Sequence, residues 1–437
     1  MVKEYFRLDS KQTTIRTEVV AGVTTFLTMA YIIFVNPDIL SAAGMDKQAL
    51  VVVTCIASAI MTAIMGLIGN VPIAMAPGMG LNAFMAYSLV KADQITWETA
   101  LGVVFLSGLL GFTLTLLGLR KRLVEAIPVS LVSAIAVGIG LFITFIGLVN
   151  MGVIVKNEAT LVAAGPLTAT VAIGLAGLLM MAFLEIRRIK GALLIGIAFS
   201  TLLAVIFGYV EKPASLVSFN FDIRPVAFRL DILGAFHWSL FGSVFTLLFM
   251  DMFDGIGTLV ACCHEAGMVD ERGRIKDLGR LLAIDTGASM VGAVLGTSNV
   301  TAYIESGAGI QQGGRTGLTA LVTALCFVLA LLFVPLVGVV PPYATAPALV
   351  MVGLFMMKEI RRIDFANLEE AMPSFIILVM IALSYSISTG LAFGFISFAL
   401  IKLAAGKTRD VKPTMWVIAL LSLLFVTMDR LRAVLNF

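Results

Sequence analysis

Long apolar runs alternate with short polar connections along most of the chain. A helix that crosses a bilayer needs about 20 mostly apolar residues. The pattern predicts fourteen such segments, numbered here as spans 1 to 14, at 17–36, 50–69, 74–91, 98–118, 129–149, 167–184, 191–210, 237–259, 277–296, 299–311, 317–337, 343–357, 372–387 and 389–405. A further apolar run, 414–428, is either a terminal span or a sign that the two short runs before it make one crossing. The count is therefore about 14, to within one.

Composition supports the same class of protein. The 437 residues are 59% hydrophobic and 13% charged, with a mean hydropathy of +1.03. A soluble domain cannot cover that much apolar surface, so we expect an all-α polytopic membrane protein with the lipid bilayer as its surroundings. The polar N-terminus has no cleavable signal pattern.

The distribution of basic residues predicts orientation. If the N-terminus is cytoplasmic, 18 of the 30 Lys and Arg residues lie in the N-terminal segment and the inner connections, 6 lie in the outer connections, and 6 follow residue 400. This asymmetry favours a multi-pass protein of the cytoplasmic (inner) cell membrane with its N-terminus inside. The net charge of +3 gives no indication of a nucleic-acid partner.

Two spans are interrupted by helix-weakening residues. Span 3 overlaps VPIAMAPGMGLNAFMAY (71–87), and span 10 lies within TSNVTAYIESGAGIQQGGRTG (297–317), about 220 residues later. Freed backbone groups at membrane depth persist only where protein or a wet cavity satisfies them. Seven spans separate the two copies, and an odd repeat inverts the second. Paired interrupted spans predict the substrate site of an inverted-repeat transporter, although glycine-rich spans also serve close helix packing.

Away from the ends of the predicted spans, few carboxylates occur: Asp251, Asp254, Asp285 and Glu305. A charge at membrane depth costs a few kcal/mol or more, so each is a functional candidate. Asp254 is favoured as a ligand contact because glycines follow it. For Asp251 a structural role and a functional role are equally supported, and for Asp285 a structural role is favoured. Glu305 is favoured because a broken helix leaves room for a ligand. A carboxyl that gains and loses a proton as substrate arrives and leaves is a physical basis for proton coupling.

Other side chains near the two breaks suit a flat heterocycle with N–H donors. Asn82 both donates and accepts hydrogen bonds, and Phe84 and Tyr303 offer aromatic faces, although a single aromatic is more often packing. The four cysteines are interpreted as free thiols, and neither histidine has a partner at ligand-like spacing, so no metal site or cofactor is expected.

Several motifs carry a resemblance to a known family. TTFLTMAYIIFVNP (24–37), MAPGMGLNAF (75–84), DMFDGIGTL (251–259) and TSNVTAYIESGAGIQQGGRTGLTA (297–320) resemble the AzgA-like adenine/guanine/hypoxanthine permeases, a branch of the nucleobase/ascorbate transporter superfamily. The resemblance covers nearly the whole chain. It implies a uracil-permease-like fold of two inverted seven-span repeats, in which spans 3 and 10 each hold a short strand and a half-helix.

The resemblance also implies domains and roles. Segments 17–118 and 237–337 would form a core domain that binds substrate, and 129–210 and 343–428 a gate domain. Asp254, Glu305 and Asn82 would contact the nucleobase, and Thr258 stands where the uracil-permease branch carries a histidine. The residues after Glu305 depart from the uracil and xanthine pattern, which favours the AzgA-like branch.

The sequence thus predicts a transporter and not an enzyme: a proton-coupled importer of purine nucleobases with an elevator-like movement. The proton would sit on Glu305 or Asp254. An anion exchanger of the same fold is the first alternative; an intramembrane aspartyl protease using Asp254 and Asp285 is a weaker one, and a channel the last. The preferred purine, the carboxylate that carries the proton and the formation of a homodimer stay open.

Overall fold

A computed structural model describes residues 2–119, 127–210, 215–219, 221–269, 275 and 277–435. In the first half, a short helix Val2–Tyr5 precedes the spans. The elements of spans 1 to 7 are Ile15–Met29 with Ile32–Ser41, Lys47–Ile64 with a π-helical end Met65–Gly69, strand β1 Met75–Pro77 with Met79–Ala83 and the π-helical Phe84–Ala92, Trp97–Leu116, Val129–Asn150, Ala169–Ile186 and Ala192–Ile206. A hairpin of β2 Ile154–Asn157 and β3 Leu161–Ala164 links spans 5 and 6.

The second half follows the same plan after a short helix, Ile232–Ala235. Spans 8 to 14 are Trp238–Leu240 with Phe241–Glu265, Leu278–Leu295, strand β4 Val300–Ala302 with Ser306–Gln311, Gly317–Ala330 with Leu331–Phe333 and Val334–Val339, Pro342–Met356 with Met357–Arg362, Leu368–Ser384, and Ile387–Ala404. A turn of 3₁₀ helix, Thr408–Asp410, leads to a last helix, Pro413–Leu435, which covers the run 414–428 and packs against span 14.

Ten helical stretches in the described part of the chain are long and apolar enough to cross a membrane. The four spans outside this set are spans 3 and 10, which contain strands, and spans 7 and 13, whose helices have 15 and 17 residues. An all-α polytopic fold of about fourteen segments, with short strands in spans 3 and 10, is therefore confirmed.

Polar caps and small residues explain why these segments form and pack as helices. Side chains of Thr14, Asp46, Thr96, Thr168 and Ser386 accept a backbone N–H at helix starts, which satisfies donors that the helix itself leaves free. Spans 2 and 11 touch backbone to backbone: a Cβ added at Gly317 would lie 1.8 Å from the carbonyl oxygen of Gly66. Small residues permit such close approach in membranes, where packing drives association.

The most extensive packing lies within each of the two predicted groups of segments. Span 1 packs on span 11 and span 4 on span 9, all within the segments predicted as core. Span 5 packs on spans 12 and 13, and span 6 on span 7, within the segments predicted as gate. The division into core and gate domains stays a prediction.

Candidate substrate site

The strands of spans 3 and 10 meet at the centre of the fold. They pair antiparallel, with Met75 opposite Ala302 and Pro77 opposite Val300, and all six strand residues are buried. Backbone bonds extend the pairing, from the Gly78 N–H to the Asn299 carbonyl at 3.0 Å and from the Tyr303 N–H to the Ala74 carbonyl at 2.9 Å. The unwound backbone of each span is thus satisfied by the other, as membrane depth requires.

Two buried aspartates are hydrogen-bonded to the scaffold around β4. Asp285 accepts hydrogen bonds from the Thr301 hydroxyl at 3.0 Å and from the Ala302 N–H at 3.1 Å. Asp251 accepts from the Ser289 hydroxyl, with 3.1 Å to each carboxylate oxygen. Both carboxylates are therefore bonded to the scaffold, in line with the structural interpretation that the sequence favoured for Asp285 and left open for Asp251.

Glu305 lies at the start of the half-helix Ser306–Gln311 and is partly exposed. The hydroxyl of Tyr31, in span 1, donates to its Oε1 at 2.6 Å. The Thr28 hydroxyl, on the same span, lies 3.4 Å from the backbone carbonyl of Glu305. Span 1 therefore contacts both the side chain and the backbone of this residue.

Asp254 lies in the helix Phe241–Glu265 and is exposed. It is close enough to Glu305 and Asp285 to interact with both electrostatically. A Cβ added at Gly257 would meet nothing within 4 Å, so open space adjoins this part of the helix. Asp254 and Glu305 thus border an accessible region beside the crossing strands, whereas Asp251, one turn earlier than Asp254, is buried.

The other predicted contacts are more enclosed. Thr258, one helical turn after Asp254, keeps 9% of its surface exposed, and Phe84 and Tyr303 are buried. The Tyr303 hydroxyl donates to the Pro77 carbonyl at 2.5 Å, so this ring also fastens span 10 to span 3.

Asn82 lies in a buried polar cluster behind the strands. Its Nδ2 donates to Asn36 Oδ1 at 2.5 Å, and Asn36 Nδ2 donates in turn to the hydroxyls of Thr54 and Thr297, at 2.7 and 3.1 Å. Asn82 is fully buried, and its Oδ1 has no hydrogen-bond partner. The structure therefore brings Asp254 and Glu305 together at accessible positions and sets Asn82 deeper.

Sequence reasoning missed two residues of span 1. Tyr31 stands in the motif TTFLTMAYIIFVNP but no role was assigned to it, and an aromatic in an apolar run carries no signal of its own. Glu18 is a fully buried carboxylate in the first turn of the same span. An acid just inside an apolar run is a signal that could have identified Glu18.

A pocket of about 230 Å³ lies away from the carboxylates. It is bordered by the start of span 8, by span 14 and by the last helix, with Trp238, Phe249, Phe395 and Phe425 among its walls. Its lining includes none of the residues predicted to bind substrate. Within the described residues, no group of three or more His, Cys, Asp or Glu side chains is placed to hold a metal ion.

Comparison of the sequence with known proteins places the chain in a family. The profile of a permease family matches residues 16–393. Adenine permease AdeP of Escherichia coli is 43% identical over 425 residues, covering 97% of this chain and 95% of AdeP. Guanine/hypoxanthine permease PbuO of Bacillus subtilis is 41% identical over 427 residues, covering 95% of this chain and 98% of PbuO. The chain belongs to this permease family. It is a member of the nucleobase/ascorbate transporter superfamily, in its AzgA-like branch, and a multi-pass membrane protein.

A solved structure extends the comparison to the fold. The transmembrane domain of the cyanobacterial bicarbonate transporter BicA superposes with a TM-score of 0.63 at 17% identity, covering 87% of this chain and 97% of that domain. At this identity the likeness concerns the fold alone. It agrees with the predicted arrangement of two inverted seven-span repeats in this permease.

Proposed function

We propose that the chain imports purine nucleobases, namely adenine, guanine or hypoxanthine, together with protons across a cytoplasmic membrane. The observation that carries the proposal is the pair of accessible carboxylates, Asp254 and Glu305, beside the crossing strands. Relatives more than 40% identical over nearly the full chain bear the names adenine permease and guanine/hypoxanthine permease.

The chemistry of the two acids suits a purine. Ring N–H and exocyclic amino groups donate hydrogen bonds, and carboxylate oxygens accept them. Hydrogen bonds to a charged group contribute about 1.5–3 kcal/mol each, so two such contacts give useful affinity for a small neutral base. Thr258, Phe84 and Tyr303 would shape the walls of the site, and Asn82 would support it from behind.

Proton coupling follows from placing these acids at membrane depth. An unpaired charge there is costly, so a carboxyl that is protonated while the base is bound, and that releases the proton inside when the base leaves, would carry base and proton inward together. Glu305 or Asp254 would carry that proton. The predicted core, 17–118 and 237–337, would carry the site past the predicted gate, 129–210 and 343–428, in an elevator-like movement, with the N-terminus cytoplasmic.

An anion exchanger of the same fold is less well supported. Two neighbouring acids repel an anionic substrate, and the likeness to BicA is one of fold alone. An aspartyl protease would need Asp285 as partner of Asp254, but Asp285 is fully buried and bonded to β4.

Site variants test the proposal. Uptake of radiolabelled adenine, guanine and hypoxanthine is measured in cells that lack purine permeases, with uracil and sulfate as comparison substrates. Glu305→Gln is expected to abolish purine uptake while the protein still reaches the membrane. Glu158→Gln, at an exposed position in the loop of the β2–β3 hairpin, is the matched control and should transport normally. Near-normal purine uptake by Glu305→Gln would refute the site, and sulfate uptake in place of purine would favour the exchanger.

A further inference from the structure

Span 1 is broken next to the candidate site. Its first helix ends at Met29 and the next begins at Ile32, which leaves Tyr31 at the junction. Tyr31 is fully buried, yet its hydroxyl donates to Glu305 Oε1 at 2.6 Å. The two residues are 274 positions apart, so the bond links the start of the chain to the half-helix of span 10.

The same face of span 1 holds the backbone of that half-helix. Ala21, Thr25 and Thr28 are spaced by three or four residues and so share one helix face. A Cβ added at Gly309 would lie 2.2 Å from the Thr25 hydroxyl oxygen and 2.5 Å from the Ala21 carbonyl oxygen, so the helices are in direct contact. Glu305 is therefore positioned through its backbone as well as through its side chain.

The chemistry of the contact is directional. A carboxylate has two oxygens and about four lone-pair sites, and the Tyr31 bond occupies Oε1, which leaves Oε2 for a ligand. A donor bonded to the ionised form of a carboxyl favours that form. The Tyr31 hydroxyl therefore affects both the orientation of the Glu305 carboxyl and its exchange of a proton.

We propose that Tyr31 is a positioning residue for substrate and proton binding at Glu305. It fixes the carboxyl with Oε2 directed to the ligand, and it lowers the pH at which that carboxyl takes up a proton. The link to purine transport rests on the proposed function, whereas the effect on the Glu305 proton is a property of the protein alone.

Other titratable groups lie near enough to Glu305 to interact with it electrostatically. They are Asp254 and Cys262 on span 8, Tyr303 on span 10 and Glu185 on span 6. The effect of Tyr31 on Glu305 can be separated from the effects of these groups. Replacing the Tyr31 hydroxyl by hydrogen removes a hydrogen-bond donor and changes no formal charge at neutral pH.

The test is the substitution Tyr31→Phe in the full-length, purified protein without ligand. The infrared carbonyl band of protonated Glu305 is followed against pH and assigned by its loss in Glu305→Gln. Without the donor, the midpoint of this band should move to higher pH by about one unit. Tyr343→Phe is the control, since it removes a tyrosine hydroxyl that has no hydrogen-bond partner, and its midpoint should equal that of the wild type.

Purine uptake gives the second readout. For purine uptake by Tyr31→Phe, the ratio of maximal rate to KM should fall about tenfold, as expected for a lost hydrogen bond to a charged group. The pH profile of uptake should move in the same direction as the infrared band. If Tyr31→Phe does not purify in a folded form, Glu305→Asp replaces it, because the shorter side chain withdraws the carboxyl from Tyr31 and should shift the band alike.

An unchanged band midpoint in folded Tyr31→Phe would overturn the positioning role, whatever the uptake shows. A shifted midpoint in Tyr31→Phe, when the wild-type protein itself takes up no purine, would support the role of Tyr31 and refute the proposed function. The two failures are thereby distinguished.

Discussion

The buried carboxylate Glu18 gives the sharpest prediction about stability. It accepts backbone N–H bonds from Arg315, Thr316 and Thr319 at 2.9, 3.3 and 3.1 Å. It also accepts the hydroxyls of Thr316 and Thr319 at 2.8 and 2.7 Å. Glu18 therefore fastens span 1 to the start of span 11, directly after the half-helix that carries Glu305.

The substitution Glu18→Ala leaves these donors without their acceptor. A buried donor left unsatisfied costs about 1–3 kcal/mol, but the two hydroxyls can rotate to other acceptors; Thr319 already has the Glu18 backbone carbonyl at 3.4 Å. Counting mainly the three N–H groups and allowing for some relaxation, we expect a loss of about 3–5 kcal/mol in the free energy of unfolding. Glu18→Gln retains one carbonyl oxygen and should lose about half as much.

Thermal unfolding in detergent, followed by intrinsic fluorescence, measures the effect. Glu98→Ala is the matched control: Glu98 also lies in the first turn of a span, and its removal should cost only the ~0.3–1 kcal/mol of a charge at a helix start. Each kcal/mol of lost stability lowers the unfolding temperature of a large domain by roughly 1–2 °C or more. If the unfolding temperature of Glu18→Ala lies within about 1–2 °C of that of Glu98→Ala, the reasoning is refuted.

Two further pairs of substitutions separate packing from binding. Gly317→Ala should lower the unfolding temperature markedly, because its Cβ would lie 1.8 Å from the Gly66 carbonyl oxygen. Gly279→Ala is the control and should leave the unfolding temperature unchanged, because its added Cβ meets nothing within 4 Å. Equal unfolding temperatures for the two variants would contradict the close contact of Gly317 with Gly66. Asp285→Ala should cost about 1–3 kcal/mol by leaving donors of β4 unpaired, whereas Asp254→Asn should unfold like the wild type and yet lose purine uptake. Full uptake by Asp254→Asn would remove that residue from the site.

Much of the fold could be predicted because the bilayer restricts each crossing segment to one direction and one approximate length. Apolar runs of about 20 residues predict helices, and the clusters of Gly and Pro around 77–80 and 307–317 marked the two spans whose helices fail. The structure places strands in these two spans, β1 at Met75–Pro77 and β4 at Val300–Ala302. Spans 7 and 13 are harder to predict from length, because their helices have 15 and 17 residues, at the lower limit of what crosses a bilayer.

The candidate site was less predictable because it depends on contacts between distant residues. Glu305 and Asp254 could be identified from their charge at membrane depth together with the neighbouring glycines and the broken helix. The partner of Glu305, Tyr31, is 274 residues away and resembles any other aromatic residue in an apolar run. The burial of Asn82 depends on Asn36, in span 1, and no local pattern indicates that pairing. The sequence indicated candidates, and only the contacts between distant spans show which of them are bonded to the scaffold.

The central claim is proton-coupled purine import, and transport by the purified protein in liposomes tests it most directly. Liposomes with an imposed inward proton gradient are supplied with radiolabelled adenine, guanine or hypoxanthine, with and without a protonophore. The account predicts accumulation of at least one purine above its external concentration, and loss of that accumulation when the protonophore dissipates the gradient. Accumulation that survives the protonophore would contradict proton coupling, and the absence of any purine transport by the folded protein would contradict the proposed function itself.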